Sequence, residues 1–218
     1  MSLRKELLDR IEEMAATFNP VIAVPVRAAA GRLSDYLCLL LEENTRMNLV
    51  SEGSARPAEL VGRHLYDSLL GIGFLPEGAR RSLLDIGTGG GFPAVPLLLA
   101  RPGLLGVLVE STGKKCQFLR GLIGELSLTA EVVNARFPDS FRMQNPKPYD
   151  VLTTRAVAGA GHLVRRARPL LARSARALLW TTEPLFADAL RESGARVGSF
   201  HRAPGAERRG IGVLESFT

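Results

Sequence analysis

Hydrophobic residues in the first 44 positions recur at the spacing of helices. Residues 3–16 and 27–44 each repeat leucine, isoleucine or methionine about three or four positions apart, which places them on one helical face. Between these segments, residues 19–25 contain an asparagine and two prolines, which typically break helices. The pattern predicts two helices with an interruption between them.

Residues 80–218 alternate short apolar runs with segments of helical spacing. Strands that alternate with helices are typical of a mostly parallel α/β sheet. The last two runs are joined by a short loop of Pro, Gly and Arg with no room for a crossover helix, so we expect an antiparallel hairpin at the sheet edge. The sequence predicts an α/β domain at residues 80–218 and a helical extension packed on it at residues 1–79. The seven predicted strands are residues 82–86, 106–111, 131–135, 150–157, 175–182, 196–201 and 210–217, with helices near residues 94–100, 114–126, 160–171 and 185–193.

A glycine-rich segment, Gly87-Thr88-Gly89-Gly90-Gly91-Phe92-Pro93, follows the first predicted strand. Glycines are needed where a strand turns sharply into a helix and where the backbone approaches a ligand closely. A dinucleotide fingerprint has its third glycine where Phe92 stands, whereas Gly-x-Gly-x-Gly suits the smaller adenosyl cofactor. Glu110 closes the second predicted strand, where a carboxylate can accept hydrogen bonds from both ribose hydroxyls. The alternative is a tight turn beside a solvated acid.

Further motifs flank the glycine loop. They are Asn48-Leu49-Val50-Ser51, Arg63-His64-Leu65-Tyr66-Asp67-Ser68-Leu69, Glu110-Ser111, Lys114-Lys115, Phe118-Leu119-Arg120 and Thr154-Arg155-Ala156-Val157-Ala158. With the glycine loop, these motifs resemble the RsmG (GidB) family, whose members are bacterial methyltransferases that modify a guanine at N7 in 16S ribosomal RNA. The resemblance spans roughly residues 33–180, and its Arg-His-x-x-Asp-Ser motif is absent from methyltransferases generally.

The resemblance implies a seven-stranded Rossmann-like S-adenosylmethionine methyltransferase sheet with an N-terminal helical extension. It also implies S-adenosyl-L-methionine as cofactor and 16S ribosomal RNA, or the small ribosomal subunit, as partner. The family usually has Asp where Glu110 stands, an acid where Pro138 stands, and Lys-Gly near Thr181-Thr182. The expected cofactor site comprises Gly87, Thr88, Gly89, Phe92, Glu110, Ser111, Arg136, Phe137, Pro138 and Arg155.

Arg155 is also the predicted catalytic residue. Small residues surround it in the sequence, so its side chain is expected to reach freely into the cleft. A guanidinium there can hold the cofactor's carboxylate, or a phosphate of the target nucleotide, through a two-pronged hydrogen bond. The alternative is an arginine in a structural ion pair.

Charge gives a second indication of a polyanionic partner. The chain has 28 Lys and Arg residues against 22 Asp and Glu residues, a net charge of +6, although an arginine-rich proteome explains this equally well. Two adjacent lysines at a predicted helix start oppose the helix dipole, so either a ligand or a solvated face accounts for them. The predicted RNA-binding residues are Arg63, His64, Lys114, Lys115 and Arg120.

Other classes of site are excluded by residue type and position. The only cysteines, Cys38 and Cys116, have no Cys or His neighbours at zinc-ligand spacing, so no metal site is expected. Residues 151–161 contain no cysteine, which excludes the chemistry of cytosine-C5 methyl transfer. Asn145-Pro146-Lys147-Pro148-Tyr149 resembles an amino-group methyltransferase motif but precedes the fourth strand, at the wrong end of the sheet. We reject it as a site.

No apolar stretch is long enough to span a bilayer, and the N-terminus turns acidic at once, unlike a secretory signal. We therefore expect the protein in the cytoplasm. We also expect a monomer. Two other functions stay open on sequence grounds. One is a methyltransferase for a small molecule or a protein, and the other is a non-catalytic RNA-binding protein that retains the fold.

Overall fold

The computed structural model describes residues 2–141 and 148–217, so Asn145, Pro146 and Lys147 of the rejected motif lie outside the described residues. Two helices begin the chain, α1 (Leu3–Ala15) and α2 (Pro20–Asn44). The two predicted helices are confirmed, but the break between them lies at residues 16–19 and not at residues 19–25. Asn19 caps α2 by accepting a hydrogen bond from the Ile22 amide, and Pro20 occupies the first turn, where an amide hydrogen is not needed. Pro25 is accommodated inside the helix.

An irregular helical stretch that the periodicity did not predict connects α2 to the sheet. A π-helix is rare in proteins and is often found at functional sites. Here it carries Arg63 and His64, and Asp67 follows it in α4. The Trp180 indole N–H donates to the Asp67 carbonyl at 2.6 Å and so fastens the stretch to the sheet. The stretch comprises a 3-10 helix (Glu52–Ala55), α3 (Pro57–Glu59), the π-helix (Leu60–Leu65), α4 (Tyr66–Leu70) and a 3-10 helix (Gly71–Phe74).

The residues that the structure describes form seven strands in one mixed sheet, in the order β3-β2-β1-β4-β5-β7-β6. The pairs among β1 to β5 are parallel, whereas β7 runs antiparallel to both β5 and β6, which confirms the predicted hairpin. The strands are β1 (Arg81–Ile86), β2 (Leu104–Glu110), β3 (Ala130–Asn134), β4 (Tyr149–Arg155), β5 (Leu171–Thr182), β6 (Ala195–Arg202) and β7 (Arg209–Phe217). The helices are α5 (Ala94–Ala100), α6 (Gly113–Glu125), α7 (Ala160–Ala167) and α8 (Glu183–Ser193), with a 3-10 turn at Arg168–Leu170.

One hydrophobic cluster joins the N-terminal helices to the sheet. Leu33 and Leu37 of α2 are fully buried with Leu97 of α5 and Leu108 of β2. Tyr36 is also fully buried, and its hydroxyl donates to the Gly90 carbonyl at 3.1 Å. The N-terminal helices therefore help to shape the glycine loop. None of the helices formed by the described residues has both the length and the apolar character to cross a membrane.

Candidate active site

The glycine loop turns back on itself through left-handed backbone conformations. Gly87, Gly89 and Gly91 have φ angles of +79°, +60° and +111°. The amides of Gly87 and Thr88 donate to the Val109 carbonyl, and the buried Thr88 hydroxyl lies 3.4 Å from the Asp85 carbonyl oxygen. A Cβ at Gly87 would lie 2.9 Å from a Val157 methyl carbon. At Gly87 the fold itself requires glycine, and Thr88 uses its side chain to hold the loop.

Gly89 is different because it faces open space. A Cβ at Gly89 would have only the Gly87 carbonyl oxygen nearby, at 3.9 Å. The Gly89 amide donates to one Glu110 carboxylate oxygen at 3.0 Å, and the Thr112 amide donates to the other at 2.8 Å. Burial raises the pKa of Glu110, but these two hydrogen bonds, the Thr112 side chain and the charge of Lys115 together outweigh it and hold the pKa below its ordinary value. The loop thus presents an ionised carboxylate beside an open space.

The other predicted cofactor residues lie at the same edge of the sheet. The Asn134 side-chain amide donates to the carbonyls of Glu110 and Ser111, both at 3.1 Å, which joins the ends of β2 and β3. The next turn contains Arg136, Phe137 and Pro138. The rings of Phe137 and Pro138 are half-buried, and the Arg136 side chain is exposed. The carboxyl ends of parallel strands are where open α/β sheets bind ligands.

Asp85, at the end of β1, is a buried carboxyl group. One of its oxygens accepts from the Thr153 hydroxyl at 2.6 Å, and the other has no hydrogen-bond partner among the described residues. Burial raises the pKa of Asp85 to about 7, against the opposing effect of the nearby hydroxyls of Thr153 and Thr88. The folded protein therefore retains a proton on Asp85 at pH values where the unfolded chain has released it.

The Asp85→Asn variant tests this titration. Because the folded pKa is raised, the wild type should lose stability as the pH rises from about 4 to about 7, and the loss should level off above that range. Asparagine keeps an acceptor for Thr153 and does not ionise, so it should remove this part of the pH dependence. Urea unfolding at pH 5 and pH 8 measures both proteins. If the free energy of unfolding changes between pH 5 and pH 8 by the same amount in the wild type and in Asp85→Asn, Asp85 is ionised in the folded state at both pH values.

A cavity of about 560 Å³ opens beside the glycine loop, at the carboxyl ends of β4 and β5 and the start of β7. It is large enough for a nucleotide-sized ligand. Its wall is apolar at Val157, Leu179 and Leu185. Its polar groups are Ser54, Arg63, His64, Asp67, Thr154, Arg155, Thr181, Thr182 and Arg209. The cavity brings together Arg63, His64 and Arg155, which the sequence predicted separately.

Arg155 lies between the cavity and the glycine loop. Its guanidinium donates to the His64 carbonyl at 3.2 Å, approaches an Asp67 carboxylate oxygen at 3.9 Å, and lies 5.8 Å from the centre of the Phe92 ring. Its side chain is only 16% exposed. The expectation that Arg155 extends freely is wrong, because these three contacts hold it. It nevertheless lines the cavity, so its predicted catalytic role stays a prediction.

His64 contributes a neutral ring to the same wall. Burial, together with the nearby charges of Arg155, Arg63 and Arg209, lowers the pKa of His64 to about 4. Its Nε2 is buried with no hydrogen-bond partner in the described part of the chain. The ring centre lies 5.4 Å from that of Phe92. Near pH 7 this wall therefore carries an uncharged imidazole next to the glycine loop.

Arg209 is a cavity residue that the sequence did not indicate. It begins β7 and pairs in register with Thr182 of β5. Its guanidinium donates to an Asp67 carboxylate oxygen at 2.6 Å. No local motif marks Arg209, because it reaches the cavity through the antiparallel pairing of β5 with β7. The same pairing places a cation beside Thr181-Thr182, where the RsmG family usually has Lys-Gly.

The remaining predicted RNA-binding residues lie on α6. Lys114 is exposed and Lys115 half-buried in the first turn, at the same edge of the sheet as the cavity. One strand separates β2 from β4, so this helix start is about 10 Å along the sheet from the end of β4. Arg120 lies further along the helix and donates to the Val132 carbonyl of β3 at 3.3 Å, on the flank of the sheet.

Comparisons with known proteins agree on a family and a fold. Residues 30–190 match the model of the GidB family, described as rRNA small subunit methyltransferase G. Proteins named ribosomal RNA small subunit methyltransferase G from Acidiphilium cryptum and Xanthomonas campestris pv. campestris are each 38% identical. These alignments cover 72% and 82% of this chain and 70% and 82% of those proteins.

Solved structures share the fold at lower identity. The mitomycin 7-O-methyltransferase MmcR superposes with a TM-score of 0.57 at 18% identity, over 92% of this chain and 74% of that one. The T. thermophilus 16S rRNA N2 G1207 methyltransferase RsmC, solved with AdoMet and guanosine, gives 0.55 at 22% identity, over 76% and 44%. The sheet is thus that of the Rossmann-like methyltransferases that use S-adenosylmethionine.

Proposed function

Because the chain belongs to the rRNA small subunit methyltransferase G (GidB) family, we propose that it transfers a methyl group from S-adenosylmethionine to N7 of a guanine in 16S ribosomal RNA. One observation carries the proposal at the site. His64 and Arg155 form a wall of the 560 Å³ cavity, and both lie against the Phe92 ring of the glycine loop, at 5.4 Å and 5.8 Å from its centre. A cofactor over the loop and a base in the cavity would meet at that wall.

The loop region fits an adenosyl cofactor. Gly89 leaves open space where a side chain would project, and the adjacent Glu110 carboxylate can accept from ribose hydroxyls. The half-buried rings of Phe137 and Pro138 stand at the end of the neighbouring strand, where an adenine can pack. When bound, S-adenosylmethionine supplies a methyl group bonded to a sulfonium, which is open to direct attack by a nucleophile.

The protein side of the reaction needs no general base. Guanine N7 has an in-plane lone pair and carries no proton, so nothing has to be removed for it to attack. The residues of the site therefore have to exclude water, align the base and tolerate a purine that becomes cationic. A neutral His64 suits this last requirement better than a protonated one would. Arg155 aligns the two ligands because it bridges the loop and the cavity.

The expected target is a guanine in a loop or an unpaired region. In A-form RNA the major groove, where N7 lies, is deep and too narrow for side chains to enter. The cavity receives an unstacked base against the apolar side chains of Val157, Leu179 and Leu185. The small ribosomal subunit or its RNA is the proposed partner, and we place the protein in the cytoplasm as a monomer.

A transfer assay separates this function from its rivals. Purified protein is incubated with methyl-labelled S-adenosylmethionine and deproteinised ribosomal RNA from a strain that lacks the gene, with assembled small subunits in parallel. Label in 16S RNA in either reaction supports the proposal. Cofactor binding without transfer to either would favour a non-catalytic RNA-binding protein, and transfer only to protein or small molecules would favour the other class of methyltransferase.

Lys114 and Lys115 should contribute to RNA binding through phosphate contacts. Each such contact on single-stranded RNA adds about 0.7 to the slope of log affinity against log salt concentration. Replacing both lysines by alanine should lower that slope by up to about 1.4 while leaving cofactor affinity unchanged. Filter binding of a 16S RNA fragment across a salt series measures it. A slope equal to that of the wild type would mean that these lysines belong to a solvated surface.

A further inference from the structure

Positive charge dominates the cavity. Arg63, Arg155 and Arg209 line it, whereas Asp67 is the only carboxylate among its lining residues in the described part of the chain. His64 adds no charge near neutral pH, because its pKa is about 4. The cavity therefore has an excess of cationic groups that Asp67 does not balance. Such an excess favours an anionic group in the ligand.

Arg155 and Arg209 differ in how much of the side chain is exposed and in how many contacts hold it. Arg155 is 16% exposed and is held by the His64 carbonyl and the Phe92 ring. The Arg209 side chain is 42% exposed, although its Nη1 is bound to Asp67. An arginine has five N–H donors in a rigid fork, so one contact with Asp67 leaves donors directed elsewhere. Arg209 thus combines a fixed position with free donors at the cavity rim.

The backbone of Arg209 also lies further from the glycine loop than that of Arg155. Arg155 ends β4, which is next to β1, whereas Arg209 begins β7, which lies beyond both β4 and β5. Three strand spacings separate β1 from β7, a distance of about 14 Å along the sheet. The Arg209 guanidinium binds the same Asp67 carboxylate oxygen that Arg155 approaches at 3.9 Å. Arg155, 5.8 Å from the centre of the Phe92 ring, is the nearer cation for the carboxylate of a cofactor bound over the glycine loop.

We propose that Arg209, held in position by Asp67, binds a phosphate of the RNA that delivers the target base to the cavity. This inference rests on the proposed function and adds a substrate contact to it. Asp67 is itself fixed on both sides, since Trp180 donates to its carbonyl and the Arg209 guanidinium to its carboxylate. It acts as a positioning residue that restricts the rotamers of Arg209. The arginine fork then offers two parallel donors to phosphate oxygens.

The test compares Arg209→Gln with a matched charge control, Arg173→Gln. Arg173 is exposed near the start of β5, at the end of the sheet opposite the cavity. Each variant loses one positive charge, so the two have the same net charge. Affinity for a 16S RNA fragment is measured by filter binding across a salt series, and cofactor affinity by calorimetry. Arg209→Gln should weaken RNA binding at least about tenfold and lower the salt slope by about 0.7, with cofactor affinity unchanged. Arg173→Gln should leave both RNA parameters as in the wild type.

A second variant covers the case in which Arg209→Gln does not fold. Arg209→Lys keeps a positive charge for Asp67 but lacks the two-pronged fork, so RNA binding should weaken several-fold at an unchanged salt slope. Wild-type RNA affinity in either Arg209 variant, or equal losses in the Arg173 control, would overturn the inference. A loss of cofactor affinity in place of RNA affinity would overturn it too, because it would assign Arg209 to the cofactor. Binding is measured without methyl transfer, so failure of the proposed function would appear separately, as a wild type that binds RNA but does not methylate it.

Discussion

Gly89→Ala is expected to fold and to bind S-adenosylmethionine at least about thirtyfold more weakly than the wild type. The new Cβ points into open space with its nearest neighbour 3.9 Å away, so it clashes with no other atom of the protein. The same space is needed by a cofactor that approaches the loop closely, and overfilling a packed contact costs about 1–3 kcal/mol. Calorimetric titration measures the affinity, and thermal unfolding measures the cost to the fold.

Gly205→Ala is the matched control for this variant. Gly205 has a φ of +71°, close to the +60° of Gly89, and a Cβ there also meets nothing within 4 Å. Both variants therefore carry the same penalty for a side chain in the left-handed region, about 1–2 kcal/mol. Gly205 lies in the loop between β6 and β7, away from the glycine loop. Equal cofactor affinity in the two variants would contradict the placement of the cofactor over Gly89.

Arg155→Lys is expected to lower methyl transfer at least about tenfold, equivalent to ~1.4 kcal/mol of lost transition-state stabilisation. Lysine keeps the charge but loses the planar group that contacts the His64 carbonyl while lying over Phe92. The alignment of base and cofactor should therefore suffer more than the fold. Turnover at saturating RNA and cofactor is measured together with the midpoint of thermal unfolding.

Arg176→Lys is the control for a purely structural arginine. Arg176 also binds a carboxylate and a carbonyl, Glu215 at 2.6 Å and Phe74 at 3.0 Å, and it is not among the residues that line the cavity. Arg176→Lys should lower the midpoint of thermal unfolding about as much as Arg155→Lys does and leave turnover of the folded protein unchanged. If Arg155→Lys melts much earlier while its folded fraction methylates RNA at the normal rate, Arg155 is structural and the catalytic assignment fails.

The parts of the fold that follow from local patterns were predictable from sequence. The seven strands and the terminal hairpin are confirmed, since β-rich runs and a loop too short for a crossover determine them locally. The break between the first two helices was predicted at residues 19–25 and lies at residues 16–19. Asn19 and Pro20 both favour the start of a helix as well as its interruption, and only the tertiary contacts of α2 decide between the two.

The candidate site was predictable only where its residues form motifs. The glycine loop, His64 and Arg155 stand in recognisable segments, and the structure brings His64 and Arg155 into one cavity. Arg209 and Trp180 were missed because strand register and a contact across the fold put them beside Asp67. The constraint on Arg155 was missed for the same reason, since its hydrogen-bond partner His64 belongs to a π-helix that hydrophobic periodicity does not indicate.

The modified base itself provides the most direct test of the central claim. Ribosomal RNA is taken from a strain that lacks this gene and from the same strain with the gene restored, and 16S RNA is digested and mapped by mass spectrometry. The proposed function predicts one guanine that carries an N7 methyl group only when the gene is present. An identical set of modified nucleotides in both strains, or a gene-dependent methyl group on another base or atom, would contradict it.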